Sequence, residues 1–183
     1  MEKATQPRAF YGSFFHAPEY GSFEYLECAL IEVGEDGAIE RVIAHDDPDQ
    51  AAALEKAREA GTLFELGEDR FGLPGFVDIH VHSPQWPQAA LALDEPLYRW
   101  LDERTFPLES KFADVDFAKE VYSDLVDQLL ARGSTTTVYL GSAHLEATVA
   151  LAEICAERGQ RALVGKTVMD DSAANPDYYR DAS

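Results

Sequence analysis

Pro74-Gly75-Phe76-Val77-Asp78-Ile79-His80-Val81-His82 reads as a turn that feeds a short buried strand ending in two histidines spaced i, i+2. Side chains two apart on a strand point to the same side. Asp78, His80 and His82 are therefore expected on one face, and Val77, Ile79 and Val81 on the other. Neutral imidazoles are good ligands for zinc and similar ions, so two of them at a strand end supply half of a metal site. The plain alternative is a pair of hydrogen-bonded histidines with no ligand role. Context favours the metal: the strand follows Pro-Gly, an acid precedes the pair, and the loop Ser83-Pro84-Gln85-Trp86-Pro87-Gln88 is rich in groups able to line a pocket. In parallel α/β folds ligands bind beyond the C-terminal strand ends, where His80 and His82 would sit.

Upstream of this stretch the sequence reads as strands and turns. Leu30-Ile31-Glu32-Val33 and Ala38-Ile39-Glu40-Arg41-Val42-Ile43 flank Gly34-Glu35-Asp36-Gly37, two β-rich runs around a short Gly-containing loop, which predicts a hairpin. An Ala-rich helix is expected over Ala51–Ala60, stopped by Gly61, and a further strand over Thr62–Leu66. Downstream the period changes. Phe117, Val121, Leu125, Leu129 and Leu130 recur at helical spacing before Gly133, a C′ stop. Ser134–Leu140 is β-branched and predicts a strand, Leu145–Arg158 a helix closed by Gly159, and Arg161–Met169 a third strand. Strand, helix, strand, helix, strand is the signature of a parallel α/β unit with right-handed crossovers. A complete (β/α)₈ barrel needs about 250 residues. The residues from Pro74 onward are too few for that, so the chain is expected to hold only the first part of such a barrel.

The chain has 183 residues, 46% of them apolar, enough for a sizeable core. Against 34 acidic residues stand 15 basic ones, a formal charge of −19. That argues against nucleic acid or anionic membrane as partners held by bulk electrostatics. The acids are scattered, which suits a heavily hydrated surface, and their excess over lysine suits a salt-rich cytoplasm. Cys28 and Cys155 lie far apart in apolar runs and read as two buried free thiols. Met1-Glu2-Lys3-Ala4-Thr5 lacks an apolar h-region and no run is long enough to span a bilayer. A cytoplasmic protein is the expectation.

The pattern Pro-Gly-x-Val-Asp-x-His-x-His resembles the first barrel strand of the metal-dependent amidohydrolase superfamily. Downstream, Trp100-Leu101-Asp102-Glu103-Arg104-Thr105-Phe106-Pro107, Gly133-Ser134-Thr135-Thr136-Thr137 and Gly159–Lys166 with Met169-Asp170 resemble the guanine deaminases of that superfamily. The resemblance covers about residues 73–180 well. It implies an N-terminal β-sandwich segment over residues 1–72 and the start of a (β/α)₈ barrel over 73–183. It also implies Zn²⁺ as cofactor, with His80 and His82 as the first two zinc ligands and His82 and Gln85 against guanine. The reaction the resemblance implies is hydrolytic deamination of guanine at C2 to xanthine and ammonia, for which a zinc held by these histidines would supply activated water. The Gln85 amide, both donor and acceptor, suits the mixed edge of a purine.

The family's other ligands and proton-transfer groups match no position here. They are expected downstream of Ser183, so no catalytic residue is placed in this chain and the 183 residues alone are expected to be inactive, as part of a protein that forms a homodimer when full length. Another deaminase of aminated heterocycles, or a fragment without activity of its own, are the alternatives. His144 is either a rim residue or a polar loop histidine. Lys166 either supports the site or pairs with an acid. Asp170 orients a ligand or caps a helix. Trp86, Trp100 and Phe106 stack on a purine or pack in the core. His16 and His45 read as ordinary. The cytidine-deaminase type of zinc site, His-x-Glu with Pro-Cys-x-x-Cys, is absent from the sequence.

Overall fold

The computed structural model describes residues 6–171, 173 and 175–181; the expectation of no secretory signal, read at Met1–Thr5, falls outside them. The chain forms two compact units, residues 1–74 and 75–183.

In the first unit, β1 (Ala9–His16), β2 (Glu24–Val33) and β3 (Ile39–Ile43) form an antiparallel meander. The hairpin expected around Gly34–Gly37 is present: the Gly34 amide donates to Ala38 O at 2.8 Å, and Gly37 supplies a φ of +82° that most residues avoid. Helix α1 (Gln50–Glu59) follows and stops before Gly61. The short strands β4 (Leu63–Glu65) and β5 (Phe71–Gly72) then pair in parallel with β1. Ala53 and Ala57 of α1 bury themselves against Ala9, Leu30 and Ile43. Gln50 is buried there too, and its amide donates to Cys28 O at 2.8 Å and Ala44 O at 3.0 Å, satisfying carbonyls that the sheet leaves open. The described residues of this unit form one sheet, with no second sheet packed on it. Phe10, Phe14, Leu26, Ile31, Val42 and Phe64 line an apolar groove of about 560 Å³ in the same unit.

The second unit is the βαβαβ run. Strands β6 (Phe76–His82), β7 (Ser134–Leu140) and β8 (Arg161–Gly165) form a parallel sheet in that order. Between β6 and β7 lie 3₁₀ turns at Ser83–Gln88, a broken helical stretch, and the long helix α4 (Val115–Ala131). The broken stretch runs α2 (Leu97–Trp100), a π turn (Leu101–Thr105), α3 (Phe106–Glu109) and a 3₁₀ turn (Ser110–Ala113). Pro107 offers no amide donor to this helix, consistent with its subdivision into short turns. Helix α5 (Leu145–Arg158) crosses from β7 to β8 and ends at Gly159, whose φ of +74° makes it the left-handed cap that the sequence marks. Asp114 starts α4 by accepting from the Asp116 and Phe117 amides at 3.0 and 3.3 Å. Phe112, Tyr122, Leu125, Val126, Tyr139, Leu151 and Cys155 form the core, so Cys155 is the buried thiol expected while Cys28 is half-buried.

Two expectations need correction. The third strand stops at Gly165, four residues short of Met169, because β7, its ladder partner, ends at Leu140 opposite Gly165. Beyond that point the Thr167 amide turns to Ser142 O and Met169 packs with Ala143 and Tyr179. Strand β6 is not buried: Val77 and Ile79 are 63% and 74% exposed, because α4 and α5 pack about Val81, Tyr139, Ala162 and Val164 instead. The β6–β7 register slips between Asp78 and Val81, yet Asp78, His80 and His82 line the same cavity, as their spacing predicts.

Candidate functional site

Strand β6 is held at its N-terminal end by close backbone approach. The Phe76 amide donates to Gly133 O at 2.7 Å, and a Cβ on Gly75 would overlap the Thr135 side chain. Glycine is what allows β6 to run this close to β7. At the C-terminal end of β6 the two imidazoles meet. His80 Nε2 and His82 Nε2 are 3.0 Å apart, a hydrogen bond in which one ring donates and the other accepts, with ring centroids 5.0 Å apart and planes inclined by 46°. Two ligands of a tetrahedral zinc at about 2.05 Å would lie roughly 3.3 Å apart, so the pair is already close to the bite that one cation requires. Burial, and then the neighbouring His80, push the His82 pKa down, against a smaller opposing pull from Glu109. The shift favours the neutral ring that a metal needs. Asp78 does not join the rings; its Oδ1 accepts from the His80 backbone amide at 3.1 Å.

Among the described residues no set of three or more His, Cys, Asp or Glu side chains converges on one point. The donor set present here therefore fits two positions of a zinc site, where a catalytic zinc takes three protein ligands and water.

Gln85 sits in the 3₁₀ turns after β6. It shares with Asp78, His80, His82, Trp86 and Trp100 the wall of a cavity of about 410 Å³, within the range of small-molecule sites. Its Nε2 donates to Glu109 Oε1 at 2.9 Å. Glu109, 6% exposed at the end of α3, accepts on its other oxygen from the Tyr179 hydroxyl at 2.7 Å. Tyr179, 1% exposed, in turn accepts from the Ala143 amide at 3.0 Å. Burial and the adjoining Glu109 carboxylate hold the Tyr179 phenol far above its ordinary pKa, so it stays a donor. Glu109 and Tyr179 were not singled out from sequence. The signal for Glu109 was a carboxylate two residues after Phe106-Pro107 in a run that otherwise packs inward. Tyr179 carried none, because its partner is 70 residues away.

The remaining candidates fall in other places. His144 lies beyond β7 with Nδ1 3.2 Å from Ser142 Oγ; burial and then Lys166 lower its pKa. Lys166 pairs with Asp181 at 2.5 Å. Asp170 is exposed and caps no described helix, the next helical turn starting at Asp177 behind Pro176. Trp86 donates to Asp124 at 2.7 Å and Trp100 to Leu91 O at 3.3 Å while both line the cavity. Phe106 packs on the cluster of Ala143, Met169 and Tyr179. His16 pairs with Glu24 in the first unit, and His45 is exposed there.

A sequence model described as the amidohydrolase family matches residues 71–182. A guanine deaminase of Dictyostelium discoideum is 40% identical over 94% of this chain and 39% of its own length. A guanine deaminase structure from C. acetobutylicum, with guanine bound in its active site, superposes with a TM-score of 0.79 at 29% identity, covering 94% of this chain and 38% of that one. A zinc-complexed atrazine chlorohydrolase from Arthrobacter aurescens shares the fold, with a TM-score of 0.71 at 18% identity over 94% of this chain and 39% of that one. The chain thus spans about two fifths of the length of the relatives it matches.

Proposed function

We infer the function from one premise: this chain belongs to the amidohydrolase family. We propose that it is the N-terminal part of a zinc-dependent guanine deaminase, which hydrolyses guanine to xanthine and ammonia. The observation that carries the reading is the 3.0 Å approach of His80 Nε2 and His82 Nε2 at the mouth of a cavity that also holds Gln85. In this reading the two histidines are the first zinc ligands, and the remaining donors come from sequence beyond these residues. When bound, zinc supplies water activation near neutral pH. The chain's own residues do the rest of the work assigned to this half of the site. With the proton between them moved to a ring Nδ1, neutral His80 and His82 would offer both Nε2 lone pairs to zinc, from the C-terminal end of a strand whose N-terminal end is held by Gly75 and Gly133. His82 and Gln85 border the purine. Trp86 and Trp100 close the cavity with aromatic surface, their indole N–H groups already committed to Asp124 and Leu91.

The domain reading follows the same line. Residues 1–72 supply one sheet of a β-sandwich whose uncovered apolar groove is completed by strands from elsewhere in the protein, and residues 73–183 supply the first three strands of the (β/α)₈ barrel. The charge of −19 argues against nucleic acid or anionic membrane as partners held by bulk electrostatics, and among the described residues no helix is long and apolar enough to cross a membrane. A homodimer in the cytoplasm is the assembly proposed.

The test is ammonia release by the complete, zinc-loaded protein from guanine, adenine, cytosine and aminated triazines. Guanine is expected to react with xanthine as the product. No ammonia from guanine ends the proposal, and release from a triazine alone moves the protein to another branch of the family.

A further inference from the structure

Three loops meet behind the candidate site, one from beyond each parallel strand. Gln85 comes from the loop after β6, Ala143 from the loop after β7, and Tyr179 from the segment after β8. Glu109 joins them: its two carboxylate oxygens accept from Gln85 Nε2 at 2.9 Å and Tyr179 Oη at 2.7 Å, and Tyr179 accepts from the Ala143 amide at 3.0 Å. Burying a carboxylate is unfavourable unless its oxygens are hydrogen-bonded. A loop tie alone would need only a neutral side chain. What a carboxylate adds is direction, since its acceptor oxygen can be met only by the nitrogen side of the Gln85 amide.

We propose that Glu109, backed by Tyr179, is a positioning residue that fixes which way the Gln85 amide faces, so that Gln85 offers the cavity its carbonyl oxygen as an acceptor for an N–H on the substrate. The proposal rests on the guanine deaminase reading of the site. It predicts discrimination as well as affinity. A purine with a donor at the edge Gln85 meets is favoured over one with an acceptor there. An amide free to turn over treats the two more equally, and a site built to pair one group leaves a mismatched one unsatisfied.

The experiment compares the complete parent protein with E109Q, Y179F, Q85A and the E109Q/Q85A pair. Two quantities are read: KM and kcat for guanine on zinc-loaded protein, and the calorimetric Kd for guanine on metal-stripped protein. For E109Q the expected result is KM and Kd raised about tenfold, the scale of one hydrogen bond to a charged group, with kcat changed less than about threefold. Y179F is expected to move both the same way by a smaller factor, and stands in if E109Q does not fold. In the Q85A background E109Q is expected to add nothing. The proposal is overturned, with the function intact, if the parent binds guanine and E109Q leaves KM and Kd unchanged, or if E109Q weakens binding as much with Gln85 absent as present. A parent that neither binds nor deaminates guanine overturns both readings at once.

Discussion

Replacing Gly75 by alanine tests the claim that β6 is placed by contact with β7. The new Cβ would lie 2.7 Å from Thr135 Cβ and closer still to the Thr135 hydroxyl and methyl, against an ordinary contact of 3.4 Å or more. Thr135 is exposed, so its hydroxyl and methyl can rotate into solvent, but its Cβ is fixed to the backbone. The strands must therefore separate by about 0.7 Å, where β6 begins and five residues before His80. Overpacking of this kind costs roughly 1–3 kcal/mol. At about 2 kcal/mol and 2–4 °C per kcal/mol for a protein of this size, the melting temperature falls by about 4–8 °C. In urea the midpoint moves down by about 1 M at unchanged slope. T135G removes every overlapping atom. It costs about 0.5–1 kcal/mol by itself through lost strand preference, but in its background G75A should cost almost nothing. Differential scanning calorimetry and urea melts of the four proteins give the cycle. A neutral G75A, or the same loss with Thr135 removed, refutes the account of how the strand is set.

Other expectations follow from single features. D114A removes the acceptor for two amides at the start of α4 and should lower stability by about 1 kcal/mol, read by urea melts, while D114N should retain most of it. Burial raises the Cys155 thiol from 9.0 to about 11, so at pH 8 its alkylation by iodoacetamide should run at least about a hundredfold below an unshifted thiol. Its neutral form is favoured in the native state, so this contribution to stability is complete below pH 9 and lost as pH rises from 9 to about 11. A C155A variant should flatten that limb of the pH–stability curve. H82A in the complete protein should weaken zinc binding by more than about a hundredfold, beyond the usual loss for an outer-sphere partner; elemental analysis after dialysis that finds full zinc would remove His82 from the ligand set.

The elements legible from sequence were those with a long period or a strong stop. Helices α4 and α5 announced themselves through Phe117, Val121 and Leu125, and through Gly133 and Gly159. Strand β1 was missed because its aromatic run, Phe14-Phe15 beside Gly12, does not alternate cleanly, and its register with β2 shifts there. The 3₁₀ and π turns between Ser83 and Ala113 have too short a repeat to leave a pattern. In the site, His80 and His82 were readable because a strand fixes their spacing locally. The β6–β7 register shift between Asp78 and Val81 was not, since a bulge depends on the partner strand. The Gln85–Glu109–Tyr179 chain was invisible for the same reason at longer range.

That chain sets an order of events during synthesis. Gln85 and Glu109 leave the ribosome early, at roughly 5–20 residues per second, yet the phenol that closes the second carboxylate oxygen is 70 residues behind. Until Tyr179 emerges, the second oxygen of Glu109 is left to water and the two nascent loops stay unsealed. The cradle is thus finished from its far end, and a stall before Tyr179 would leave a sheet already paired beneath an open roof.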